Sequence, residues 1–208
     1  MDDAPLSHLE FCVIDTETTG GAHALDRVID VAVFRFKDGV VVEKFQSLIN
    51  PGCSISAWIK GLTGIDDEMV ARAPQFEEIE PRLSEILNKG IFTAHNAGFD
   101  YGFIRSEYNR LGKEFIRPQC CTLKIARKLL PELPSRSLGF LCEHMLIDIA
   151  DRHRAHGDAE ATVYVLKSLF RQLKNEYQIT TWLGLEEFLR RRKKKKDVLD
   201  IRYNSVSH

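Results

Sequence analysis

Four acidic residues stand where the hydrophobic pattern demands core. Residues 9–15 read as a buried strand ending in Asp15. Glu17 follows at i+2, so both carboxylates leave the same face of the strand. Asp100 shares a helical face with Phe103, Ile104, Tyr108 and Leu111. Asp158 shares one with Ala161, Thr162, Val165, Leu166 and Leu169. Gathering ionised carboxylates away from water costs many kcal/mol unless a cation compensates. Oxygen-only, anionic donors suit hard cations such as Mg²⁺ or Mn²⁺. Any one of these acids has an ordinary structural explanation, as a cap or half of an ion pair. Their coincidence in one chain does not.

Chemistry at such a site also needs a base. His95 precedes Asn96 in a loop, and His153 and His156 precede Asp158. Imidazole is the side chain best suited to remove a proton from water near neutral pH. A loop histidine is otherwise simply solvated, and spacing alone does not choose between His153 and His156.

The elements that must position these groups follow from periodicity. Residues 27–37 and 40–49 are rich in Val, Ile and Phe and flank Asp38-Gly39, a strong hairpin signal. Phe76, Ile79, Leu83, Ile86 and Leu87 mark one helical face, with Pro81 inside the pattern and Gly90 as its stop. Ile91–Ala94 is a short strand. Residues 98–111, 122–130, 137–146 and 157–174 read as helices. Three strands, a helix, a strand and then helices make an α/β fold, a mixed sheet covered by helices. Residues 1–175 form the domain. Residues 176–208 form a C-terminal extension, with a short amphipathic helix through Trp182, Leu185, Phe188 and Leu189 and no structure expected over 193–208.

Bulk properties narrow the setting. No apolar run approaches the roughly 20 residues that span a bilayer, and no secretory signal is visible, so a membrane partner is not expected. Five cysteines without CxxC spacing fit reduced thiols and a cytoplasmic location. The net charge of −1 hides an asymmetry. Residues 190–196 are all basic; without them 22 positive charges face 30 negative ones, a net −8. An acidic body is a poor general polyanion binder. Nucleic acid would be held by cations, by backbone donors or by that run. The run itself reads either as a solvated tail or linker, or as an electrostatic tether.

At this point three motifs line up. Asp15-Thr-Glu-Thr-Thr-Gly20, His95-Asn-Ala-Gly-Phe-Asp100 and His153-Arg-Ala-His-Gly-Asp158 resemble the Exo motifs of the DEDDh 3′→5′ exonucleases. These include proofreading epsilon subunits of bacterial DNA polymerase III, ribonuclease T and oligoribonucleases. The resemblance spans roughly residues 9–172 and implies a ribonuclease H-like fold with helices on both faces of the sheet. It also implies Asp15, Glu17, Asp100 and Asp158 at two divalent cations, Mg²⁺ or Mn²⁺, with Asp100 acting indirectly or through water. His153 is implied as the general base. Thr18, Thr19, Gly20 and Phe99 resemble groups that hold the terminal nucleotide. Leu62-Thr63-Gly64-Ile65 resembles a wedge beside its base, although the family often has His where this chain has Thr63. Asp30 stands where many relatives carry Glu. The expected activity is release of nucleoside 5′-monophosphates from a free 3′ end. DNA ranks ahead of RNA trimming or oligoribonucleotide degradation, and a polymerase or fused domain is an expected partner. A catalytically silent adaptor is the rival from another class, but such a protein should have lost one of the acids.

Overall fold

A computed structural model describes residues 3–149 and 152–191. Five strands form one sheet in the order β3-β2-β1-β4-β5. They are β1 (Phe11–Thr18), β2 (Val28–Lys37), β3 (Val40–Leu48), β4 (Ile91–Ala94) and β5 (Gln119–Cys121). The first three pair antiparallel, while β1–β4 and β4–β5 are parallel. The hairpin turn is the expected one: Asp38 and Gly39 both have positive φ (49° and 83°), the twist that a two-residue β-hairpin requires.

Strand alternation divides the core in two. Phe11 and Val13 of β1, with Ala32, Phe34 and Phe36 of β2, pack under the long helix α7 (Ala155–Tyr177). Cys12 and Ile14, with Val31 and Val33, pack on the other face against α3 (Phe76–Leu87) and α4 (Gly98–Arg110). Helices therefore cover both faces. Because β1 alternates strictly, Asp15 and Glu17 emerge on the α7 side. The strand expected over 9–15 is shifted toward its acids: β1 starts at Phe11, runs through them to Thr18, and pairs with β2 with a register shift between Glu17 and Thr18.

Pro81 stands inside helix α3, whose first turn is closed from outside. The Gln75 N–H donates to the Glu78 carboxylate at 2.7 Å, one half of a capping box. Helices α1 (Ala57–Thr63) and α2 (Asp67–Ala71), and strand β5, have too few residues for periodicity to show. Helices α5 (Thr122–Leu129) and α6 (Leu138–His144) complete the α7 side. The last helix, α8 (Trp182–Arg190), buries Trp182 and Leu185 in the same core. The extension expected from residue 176 is thus packed on the domain as far as it is described, and most of the basic run lies outside the described residues. Among the described residues no helix is long and apolar enough to cross a membrane.

Candidate active site

The acids converge at the carboxyl end of β1. Carboxylate oxygens of Asp15, Glu17 and Asp158 lie within 4.8 Å of one another, and all three residues are partly exposed. Strand alternation supplies the first two; Asp158 arrives from the first turn of α7, whose N-terminus favours a negative charge. None of the three carboxylates has an ion-pair partner among the described residues.

Asp100 is placed differently. It is buried in the first turn of α4, and its Oδ1 accepts from the Thr16 N–H and the Thr16 hydroxyl, both at 3.0 Å. Thr16 points away from the Asp15–Glu17 face, so this acid is braced from the far side of the strand. Asp100 does not join the group of three.

Electrostatics follow from this crowding. Desolvation raises the Asp15 carboxyl well above the usual range, with further upward pushes from Asp100, Asp158 and Glu17. Desolvation, then Asp158 and Asp30, push Glu17 up to about 8. Asp100 is raised to about 7 by desolvation, against the pull of Thr16. Asp158 is also raised by desolvation, although the His153 amide restrains it. A hard divalent cation would relieve all of these at once, so the donor set fits one.

The cluster therefore stores a pH-dependent instability. Its folded-state pKa values lie above the unfolded ones, so the folded chain holds protons that the unfolded chain releases. That contribution is complete below about pH 4 and is lost as pH rises through 7 and 8. In chelator, Asp15→Asn should melt several °C above wild type at pH 8, with the gap closing toward pH 5. About 1 kcal/mol moves Tm by ~2–4 °C in a chain of this size. Melting curves across that range check it, and a gap independent of pH would contradict the repulsion.

The three histidines separate. Both ring nitrogens of His95 are engaged, Nδ1 with the Thr122 hydroxyl and Nε2 with the Arg136 carbonyl, each at 2.9 Å. His95 ties β4 to α5 and to the chain before α6. His156 sets its ring edge-on to Phe34, with centroids 5.0 Å apart. His153 is exposed, with φ 61°, and its amide donates to Asp158 Oδ2 at 2.9 Å. Among the described residues only His153 combines a tie to the acid cluster with a ring that packs against no other aromatic residue.

Beyond β1 the chain turns through Thr18, Thr19 and Gly20. Thr18 is buried and its hydroxyl donates to the Gly20 carbonyl at 2.6 Å. Asp26 accepts from the Thr19 hydroxyl and the Ala22 N–H. A Cβ on Gly20 would fall 2.5 Å from the Asp26 carboxylate, so a larger residue there would push Asp26 out of these hydrogen bonds. Arg110 grips the same loop, donating to the carbonyls of His23, Ala24 and Asp26. Arg27 forks onto buried Glu107 of α4. His23 then packs edge-on to Phe99 and Phe103. Helix α4 thus carries Asp100 and Phe99 at one end and the anchors of the Thr18–Gly20 loop at the other.

The wedge expectation needs correction at one residue. Thr63 is buried, donating to the Ile59 carbonyl and accepting from the Ile65 N–H, so it finishes α1 and cannot meet a base. Leu62 is 40% exposed and remains available. Asp30, opposite Glu17 in the sheet, is fully buried and paired with Arg154 at 3.4 Å. The pair backs Glu17 without joining the three acids. Arg154 lies within the third motif, beside His153, and periodicity gave no hint of its partner.

Comparison with known proteins agrees with this geometry. The RNase_T family model, described as "Exonuclease", matches residues 12–166. The chain is 35% identical over 170 residues to the PolC-type DNA polymerase III of Clostridium perfringens, and 38% identical over 180 residues to that of Oceanobacillus iheyensis. These matches take in 82% and 86% of this chain but only 12% of either relative. Among solved structures, exonuclease X in complex with 5′ overhanging duplex DNA aligns with TM-score 0.67 and 24% identity, covering 85% of this chain and 99% of that one. E. coli exonuclease I in complex with a dT13 oligonucleotide aligns with TM-score 0.73 and 20% identity, covering 82% and 43%.

Proposed function

Since the chain belongs to this exonuclease family, we propose that it trims DNA from a free 3′ end, releasing nucleoside 5′-monophosphates with the help of two divalent cations, Mg²⁺ or Mn²⁺. The observation that carries this reading is the group of three carboxylates without cationic partners, at the end of a strand that the family model covers. DNA is favoured over RNA because the similar polymerases are DNA polymerases and the similar structures hold DNA. A polymerase, separate or fused, is the proposed partner, since the relatives are about eight times longer than the matched segment.

In this mechanism Asp15, Glu17 and Asp158 would hold the cations, and Asp100, braced by Thr16, completes the negative field. Bound divalent cations supply Lewis acidity and neutralise the phosphate. The exposed ring of His153 takes a proton from the attacking water as its oxygen bonds to phosphorus. The bond from phosphorus to the 3′ oxygen breaks and that oxygen takes a proton from solvent, leaving a shortened strand with a new 3′ hydroxyl. Phe99, Leu62 and the Thr18–Gly20 backbone hold the departing nucleotide.

Matched single-stranded DNA and RNA, labelled at either end, test the proposal. A 3′-labelled DNA strand should release labelled mononucleotide in the first turnover, while the 5′-labelled strand shortens stepwise. RNA should be cut more slowly. Chelator should stop both reactions, and Mg²⁺ or Mn²⁺ should restore them. Efficient cutting of a closed circular strand would make the enzyme an endonuclease.

A further inference from the structure

Helix α8 and the edge strand β5 enclose a groove of about 550 Å³ whose residues take no part in the chemistry above. Its lining includes the Asn96–Gly98 turn, two residues before Asp100. It also includes Arg190, the last residue of α8 and the first of the basic run. Lys124 and Arg127 line it too, one turn apart on α5 and both exposed. Neither has an ion-pair partner among the described residues. The charge of Arg127 is felt at His95, in the second motif itself. One acid lines the groove, Glu186, and it pairs with Arg190 at 3.2 Å.

A positive groove is out of place on this protein. Outside the basic run the chain carries a net −8, which repels polyanions. Lys124, Arg127 and Arg190 bring three positive charges against one negative, in a groove that the second motif helps to line at Asn96–Gly98. The space is large enough for a nucleotide-sized group. We infer that this groove guides the substrate strand upstream of its 3′ end, with Lys124 and Arg127 contacting successive phosphates. The inference rests on the proposed nuclease reading for its substrate, but its own claim concerns binding.

The test measures binding and turnover separately. Anisotropy of a labelled long thymidine oligonucleotide gives Kd across a salt series for wild type and for Lys124→Ala/Arg127→Ala. Losing two phosphate contacts should raise Kd about tenfold and reduce the salt slope by about 1.4, since each contact on a single strand contributes about 0.7. KM on the long strand should rise in parallel with kcat unchanged, and turnover of a dinucleotide, too short to enter the groove, should not change. Arg190→Gln, on a different helix, should weaken binding in the same direction. Wild-type Kd and salt slope in the double variant would overturn the inference. If that result came with lost binding of a polyglutamate peptide, the groove would belong to an acidic protein segment instead. Should wild type fail to hydrolyse any strand while the variants still bind less tightly, the groove stands and the nuclease reading falls.

Discussion

Asp15→Asn is expected to abolish hydrolysis, lowering kcat by on the order of 10³-fold or more, while leaving the fold intact. The scale is that of removing a group whose interactions are realised in the transition state. Asp15 is the acid most entangled with the others: Asp100, Asp158, Glu17 and Asp30 all raise its carboxyl. Removing its charge relieves repulsion, so the variant should melt no lower than wild type in chelator. An acid paired with a cationic side chain would behave differently, because its loss leaves that cation unpaired and costs stability. Asp158→Asn should behave alike in activity, but the bond from the His153 amide loses its ionised acceptor, so a smaller gain in stability is expected. Single-turnover assays with melting curves in chelator check both, and a variant keeping a tenth of wild-type kcat would remove Asp15 from the centre of the mechanism.

His153→Asn should lower kcat by about 10²–10⁴-fold, the usual contribution of a general base. Asparagine is chosen over alanine because position 153 has φ 61°, a left-handed backbone that Asn adopts more readily than most residues. The variant therefore keeps the turn and the amide bond to Asp158 while removing the imidazole. KM and Tm should move little. His156→Ala should do the reverse, costing stability through lost contact with Phe34 and leaving kcat within a few-fold. His95→Ala should also act on stability, because its ring bridges Thr122 and Arg136. If His156→Ala is the variant that destroys turnover, the base has been assigned to the wrong histidine.

The contrast among these histidines shows what kind of information lies in each level. By itself the sequence determined that Asp15 and Glu17 share a face, because strand alternation is a local property of the chain. It determined the hairpin at Asp38-Gly39, whose turn demands positive φ, and the main helices, whose apolar residues recur along a single face. Periodicity placed Asp100 and Asp158 on apolar helix faces, and the three motifs, through their resemblance to a nuclease family, joined them to the first two acids and chose His153.

Tertiary structure decided which buried acids are compensated. Glu107 lies on the same apolar face of α4 as Phe103, Ile104 and Tyr108, much as Asp100 does, and periodicity treats the two alike. In the fold Glu107 meets Arg27, 80 positions away, and becomes an anchor. Glu80 meets Lys113 and Ser84. Asp15, Glu17 and Asp158 crowd one another and form no ion pair among the described residues. Thr63 and Leu62 are adjacent in sequence, yet one finishes a helix inside the protein and the other faces out. The physical reason is common to all of these. A helix or strand pattern reports which side of an element is covered, whereas the charge that covers a carboxylate comes from whatever distant segment the fold brings against it.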